Sequence, residues 1–312
     1  MAFAGFSSED FETYQAPKRS SAMYTLKRRV VKDKLSALAD RLDQLLGIGL
    51  GLGGLKRELS DDAPSLVNNR KVDSQWLSWL RGPEQQVQLK ALQDEIKLSS
   101  PDALDIAVHH KHAQLAVVVD DRWLETSLRI HRRARVDRDN LAVKLKEGWA
   151  RDALVELLKK CGEGFCLGAV NGRELPEQDV TALRGDDVAA WLEAGAQAEW
   201  LVVSATCSVE DAAALGPNIA EASAERLAPL ADVYRFVAWA PDNDHVAAKK
   251  AIKEAKAEQK RGGFKKGDAV RILAGLWSGK RGTVEDIDKK GALKVLVGLV
   301  TVKVDQSDVA PS

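Results

Sequence analysis

Apolar residues recur at Leu26, Val30, Val31, Leu35, Leu38, Leu42 and Leu45, a three-and-four spacing that predicts an amphipathic helix over Ala22 to Leu46. Its early turns are basic, with Lys27, Arg28, Arg29, Lys32 and Lys34. The pattern stops at Gly47, where Gly47-Ile-Gly-Leu-Gly-Leu-Gly-Gly alternates glycine with aliphatics. That run follows a helix rather than a strand and holds no Gly-Lys-Ser/Thr, so it reads as a cap and hinge packing Ile48, Leu50 and Leu52, not as a phosphate loop. Trp76 and Trp79 stand beside Arg70, Lys71 and Arg81. This mixture suits base stacking on a surface or, more simply, burial in a core. Gly82-Pro83 ends that element, and a polar helix is expected from Glu84 to Lys97.

The clearest strand pattern lies between His109 and Arg133. His109 to Val119 and Arg122 to Arg133 read as a β-hairpin around Asp120-Asp121, and with a two-residue turn there, residues whose numbers sum to 241 face each other. Alternation then gives a buried face of Leu115, Val117, Leu124 and Leu128. The opposite face pairs Ala116 with Glu125, Gln114 with Ser127, His112 with Arg129 and His110 with His131. Three uses of this polar face follow. His110, His112 and His131 with Glu125 would suit a zinc or iron site; Arg129, Arg132, Arg133, Arg135 and Arg138 would hold a polyanion; or the face is solvated and paired with acidic helices.

Further on, Val136-Asp137-Arg-Asp-Asn140 reads as the cap of a helix beginning at Leu141, and a second helix is expected from Gly148 to Lys160. Phe165 to Val170 reads as a strand that turns at Asn171-Gly172 into Arg173 to Leu175. A helix over Asp187 to Ala194 leads to the apolar strand Glu199 to Ala205; Ser208-Val-Glu-Asp211 caps the next helix, and Tyr234 to Trp239 reads as a short strand. Strands and helices alternate, so residues 1–243 are expected to form an α/β or α+β domain with a central, mostly antiparallel sheet. From 244 to 263 the chain turns to Ala, Lys and Glu, with Lys249, Lys250, Lys253, Lys256, Lys260 and Arg261 before Gly262-Gly263. That reads as a charged helical linker.

Composition narrows the function classes. The 312 residues balance 46 Lys and Arg against 46 Asp and Glu, so no whole-chain field draws the protein to nucleic acid or membrane, and any basic footprint is local. No window reaches the roughly 18 to 20 apolar residues that span a bilayer. Cys161, Cys166 and Cys207 lack metal-ligand spacing, and Met1-Ala-Phe-Ala-Gly-Phe-Ser-Ser-Glu-Asp has no secretory character. A reducing, cytoplasmic setting without membrane association is expected.

The C-terminal stretch carries the one specific signature. Gly267-Asp268 precedes the strand Ala269 to Leu273; Gly275, Gly279 and Gly282 punctuate the loop that follows, and a second strand opens at Thr283. This pattern resembles a KOW module, as found in ribosomal proteins and NusG-type elongation factors, over residues 264–312. The resemblance implies a small all-β SH3-like barrel and a partner made of RNA, ribosome, or RNA polymerase-associated protein. Lys265, Lys266, Arg271, Lys280, Arg281 and Lys303 would hold phosphates, with Trp277 exposed at the loop tip to stack or insert; Val270, Ile272, Val284, Val295 and Val297 would fill the core. The module has no histidine or cysteine, so it is a binding unit and no cofactor is expected. Trp200-Leu-Val-Val is similar to the opening strand of the domain that precedes KOW in NusG-type factors, but it lies too near the C-terminal module to serve as one. A fainter resemblance, through Gly5-Phe-Ser-Ser-Glu-Asp-Phe-Glu, Asn69-Arg-Lys to Trp76, and the hairpin Ala113 to Ile130, is to the YktB-like family, and implies a single α/β domain without transferring catalytic residues. The expected function is therefore a nucleic-acid or ribonucleoprotein-binding accessory protein. The alternative is a metal-dependent or polyanion-processing enzyme in the N-terminal domain that uses KOW for targeting.

Overall fold

The computed structural model describes residues 3–46, 54–65, 68–95, 108–247, 263–288 and 291–312. The glycine run from 47 to 53 and the linker from 248 to 262 lie outside the described residues, and so does the end of the helix expected to reach Lys97. The chain divides into two compact units, Met1–His245 and Val246–Ser312.

In the first unit a seven-stranded antiparallel sheet runs in the order β1-β2-β3-β4-β7-β5-β6. Its strands are β1 (Leu55–Leu59), β2 (Ser74–Arg81), β3 (Ala113–Asp120), β4 (Trp123–His131), β5 (Phe165–Val170), β6 (Gln178–Asp179) and β7 (Trp200–Ser208). The helices are α1 (Ser8–Glu12), α2 (Thr25–Leu46), α3 (Pro83–Glu95), α4 (Arg135–Lys144), α5 (Gly148–Lys159), α6 (Gly185–Ala194), α7 (Val209–Leu215) and α8 (Ile219–Val237). Helices α2 and α8 pack on each other and on the central strands. There Val31, Leu35, Leu38 and Leu42 of α2 and Leu227, Leu230, Val233 and Val237 of α8 meet Leu77, Leu115, Val117, Leu124, Leu128 and Val203. The helix expected from Ala22 opens as a 3-10 turn, Ala22–Tyr24, and Leu26, Val30 and Leu45 point outward. Ala39 takes a core place instead, and Arg28 is buried with its guanidinium donating to the carbonyls of Lys18, Ser21 and Asp62.

Four sequence expectations are corrected. The β3-β4 hairpin pairs residues whose numbers sum to 243, not 241. The Asp120 carboxylate accepts the N–H groups of Arg122 at 2.7 Å and Trp123 at 3.1 Å, which places the turn at Asp121-Arg122. A shift of two preserves the faces but changes the partners: Gln114 opposes Arg129, Ala116 opposes Ser127, and Val118 opposes Glu125. Tyr234 to Trp239 is not a strand. Tyr234 and Val237 continue the buried stripe of α8, since a short apolar run has no periodicity of its own to tell strand from helix. Asn140 lies inside α4 and is buried; its side chain donates to the Asn243 carbonyl and accepts from the His245 N–H, so it ties the exit of the unit rather than capping a helix. The return strand after β5 is Gln178–Asp179 instead of Arg173 to Leu175, because Arg173 is drawn to Asp120 and Asp121.

The second unit holds β8 (Ala269–Ile272), β9 (Arg281–Ile287), β10 (Leu293–Val297), β11 (Val300–Val304) and β12 (Val309–Pro311). They form an antiparallel sheet in the order β11-β10-β9-β8-β12, with an irregularity between Lys294 and Val295. Its core is Val270, Val284, Leu293, Val295 and Val309, with buried Ile272 and half-buried Val297.

Candidate functional site

The sheet of the first unit has two faces of different chemistry. One is the apolar face under α2 and α8. On the other, strand register aligns Ser78, Ala116, Ser127, Ser204 and Cys166 in one transverse row, because each pairs with the next across β2, β3, β4, β7 and β5. Beside this row stand Gln114, opposite Arg129, and Glu125, opposite Thr206. Of the three uses weighed for the hairpin's polar face, solvation does not hold: Gln114, Glu125 and Ser127 lie out of solvent, as do Ser78 and Ser204 beside them.

Arg129 binds Glu125 with two hydrogen bonds, Nε to Oε1 at 3.0 Å and Nη2 to Oε2 at 2.6 Å, and reaches Ser127 Oγ at 3.2 Å. A bidentate guanidinium–carboxylate pair satisfies both charges. Arg129 is therefore engaged inside the fold rather than offered to a polyanion. Arg132 and Arg133 lie exposed just past β4, while Arg138 spends its guanidinium on the carbonyls of Gly195, Ile130 and Glu199.

A 3-10 turn, Val108–Lys111, brings His109 and His110 back over this face. The result is a continuous aromatic arch. Trp76 meets His109 with ring centroids 4.5 Å apart, His109 meets His110 at 4.3 Å, and His110 stacks on His131 at 4.0 Å with planes 16° apart. His131 then meets Trp200 at 4.6 Å. The Arg133 N–H donates to His131 Nδ1, which leaves the His131 proton on Nε2, facing Glu199 Oε1 at 3.5 Å. Burial, with cationic neighbours added, pushes His110 and His131 down to about 3, so both rings are neutral at ordinary pH.

His112 does not join them. It lies beside Arg81 Nη1, at 3.5 Å, in a separate buried network, where burial and Arg81 push it down to about 4. There Arg81 pairs with Asp137 through both oxygens and donates to the Trp239 carbonyl at 2.7 Å; Asp137 also accepts the N–H groups of Ala113 and Trp239, each at 2.8 Å. Burial opposes ionisation of Asp137, but Arg81 overcomes it and holds the carboxyl below its usual range. The expected His110, His112, His131 and Glu125 set is thus split: His110 and His131 meet ring to ring, Glu125 is taken by Arg129, and His112 belongs elsewhere. Among the described residues no group of three or more His, Cys, Asp or Glu converges as metal ligands need. Burial also raises Cys166 and Cys207, and pushes Cys161 up to about 12, so none of the three is an activated thiolate.

Three polar atoms of the arch face are buried and have no hydrogen-bond partner: Ser78 Oγ, Gln114 Oε1 and His110 Nδ1. An orphaned buried polar group costs a fold about 1 to 3 kcal/mol. Strand β2 carries the two tryptophans and Ser78. Read with period two, Ser74, Trp76 and Ser78 share a face and Trp79 turns to the other side, where its Nε1 donates to Asp43 of α2 at 3.2 Å.

In the second unit Lys265, Lys266, Arg271, Lys280 and Arg281 are all exposed. Lys303 is exposed too, but its ammonium pairs with Asp288 at 2.6 Å. Trp277 is half-buried rather than exposed, and its neighbour Leu276 is the residue in solvent, 96% exposed. No protein-family model and no curated protein matches this chain. Among the described residues no helix is long and apolar enough to cross a membrane.

Proposed function

We propose that the chain is a cytoplasmic nucleic-acid or ribonucleoprotein-binding accessory protein, and that its five-stranded C-terminal unit is a KOW-type, SH3-like module that docks through one end of its sheet. The observation that carries this reading is the composition of that end. Arg271 pairs with Arg281 where β8 and β9 flank their loop, and Thr283 of β9 pairs with Leu296 of β10, so the β8-β9 loop and the β10-β11 turn come to the same end. There Leu276 and Leu299, 96% and 100% exposed, stand with Leu273 and Val300 beside Arg271, Lys280 and Arg281. Among the described residues none of these three cations has a carboxylate partner. Apolar tips rimmed by unpaired cations suit a surface that offers both phosphates and side-chain or base pockets.

The loop is built to hold that shape. The Gly279 N–H donates to the Ile272 carbonyl at 2.7 Å and the Ile272 N–H to the Lys280 carbonyl at 2.9 Å; Gly275 and Gly279 take φ of +80° and +84°, which other residues adopt only with strain. The experiment is a salt titration of RNA and ribosome binding by the wild type and by Lys280→Glu/Arg281→Glu. The reading requires weaker binding with a shallower salt slope in the variant. Equal affinity and slope would refute it.

A further inference from the structure

We propose that the outward face of α2 pairs with the same face of a second copy of this chain, with Leu26 of each copy seated in a groove towards the far end of the other copy's helix. The surface lies in the first unit and is independent of the docking end of the second.

Met23, Leu26 and Val30, at the start of α2, are 87%, 72% and 49% exposed. Single apolar residues on a surface need no explanation, but three on one helix face form a ridge. The face continues along the helix: positions 23, 26, 30, 33, 37, 40 and 44 follow one another at intervals of three and four, the spacing by which one helix offers a seam to another. Its two ends differ. The first carries the ridge. The second, beginning at Ala37 about 16 Å beyond Leu26, carries a groove of about 420 Å³ lined by Phe3, Ala37, Arg41, Gln44, Pro217 and Glu221.

The walls of the groove are fixed by the fold. Arg41 Nη2 binds Glu221 Oε1 at 2.6 Å and so ties α2 to the first turn of α8. The Phe3 ring meets the buried Phe6 ring edge to face, with centroids 5.5 Å apart. Gly5 lets this segment lie close against Gly216, whose backbone a Cβ at position 5 would strike. A groove shaped in advance needs little further ordering when it is filled.

A ridge and a groove on one helix face select a second copy as the occupant. A two-fold axis perpendicular to α2 beside Asp33 and Lys34 lays two such helices antiparallel, sets Val30 against Ala37, and brings each Leu26 to the other copy's groove at Arg41, so both knobs are seated at once. Charge agrees with this arrangement. The same axis keeps like flanks of the two helices together, which carries Lys27 to the Arg41 and Glu221 pair of the second copy. Lys27 is exposed and has no carboxylate partner among the described residues, and Glu221 is 43% exposed. An anionic membrane would attract Lys27 but be repelled by Asp33, Asp40 and Glu221 on the same surface.

The test is sedimentation velocity of the full chain from about 1 to 300 µM, where a monomer–dimer equilibrium is expected. Leu26→Glu removes an apolar anchor twice per dimer and weakens association at least about tenfold; because Leu26 lies in solvent, the urea midpoint of the variant stays that of wild type. Lys27→Glu and Glu221→Lys each weaken association about threefold. The combined variant Lys27→Glu/Glu221→Lys recovers it, which damage to the fold would not do. The proposal is overturned if the wild type stays monomeric throughout, if Leu26→Glu dimerises as wild type does, or if the combined variant does not recover. A monomer that sediments with phosphatidylserine vesicles through Leu26 would overturn it too, and would assign the face to a membrane.

Discussion

Arg81 and Asp137 show how a single residue pair fixes a neighbourhood that sequence alone leaves open. Their carboxylate–guanidinium contact is buried, and it gathers β2, the start of β3, α4 and the backbone of Trp239 around one point. Removing one partner leaves the other as an uncompensated buried charge. Asp137→Ala is therefore expected to destabilise the first unit by about 3 to 5 kcal/mol, read from its urea midpoint. The histidines make a second prediction at this scale. His131 and His112 are buried and titrate near about 3 and about 4 in the fold, against about 6.5 in an unfolded chain. Between those values the unfolded chain binds more protons, so stability is fully present above about pH 6.5 and falls as pH drops toward 3. At pH 5 each buried imidazole is expected to cost about 1 to 2 kcal/mol relative to pH 7.5, and His131→Phe should flatten the fall. A midpoint in urea that does not change between pH 7.5 and 5 would contradict this.

At the scale of elements, the β3-β4 hairpin was legible in its existence and in its faces. The two-residue period of side chains along each strand is a local property, and it put Leu115, Val117, Leu124 and Leu128 on one side, the side that packs in the core with α2 and α8. The register was not legible, because it depends on the Asp120 carboxylate capping the turn and on Arg173 arriving from a distant loop to hold it. Asp120→Ala is accordingly expected to destabilise the hairpin by about 1 to 3 kcal/mol, the cost of leaving its turn N–H groups unpartnered. Faster hydrogen exchange at Arg122 and Trp123 than in wild type would report it; unchanged protection there would show that the strands alone set the turn. Helix α8 illustrates the opposite error. Tyr234 and Val237 look like strand residues in isolation and belong to a helix because Leu227 and Leu230, a turn or two earlier, place them on the same buried stripe.

For the whole molecule, the zero formal net charge means that a nucleic-acid footprint has to be concentrated somewhere. On the proposed reading Arg271, Lys280 and Arg281 are that local footprint, so Lys280→Glu/Arg281→Glu should reduce the slope of log affinity against log salt by about 1 to 2 if each cation meets a phosphate. Equal slopes would place the contact elsewhere. The pattern along the chain was enough to determine helices with a mostly antiparallel sheet, an apolar side for α2 and for the β3-β4 hairpin, and a strand-rich C-terminal segment with glycines at its loop. These follow from side-chain period and backbone preference, which act over a few residues. Tertiary structure alone decided that the polar side of the hairpin is buried, that Arg129 is consumed by Glu125, that His112 is parted from His110 and His131, and that Ser78 stands orphaned beside Gln114. Each of those depends on which strand becomes a neighbour and in what register, and the energy that settles the choice comes from contacts between residues far apart in sequence.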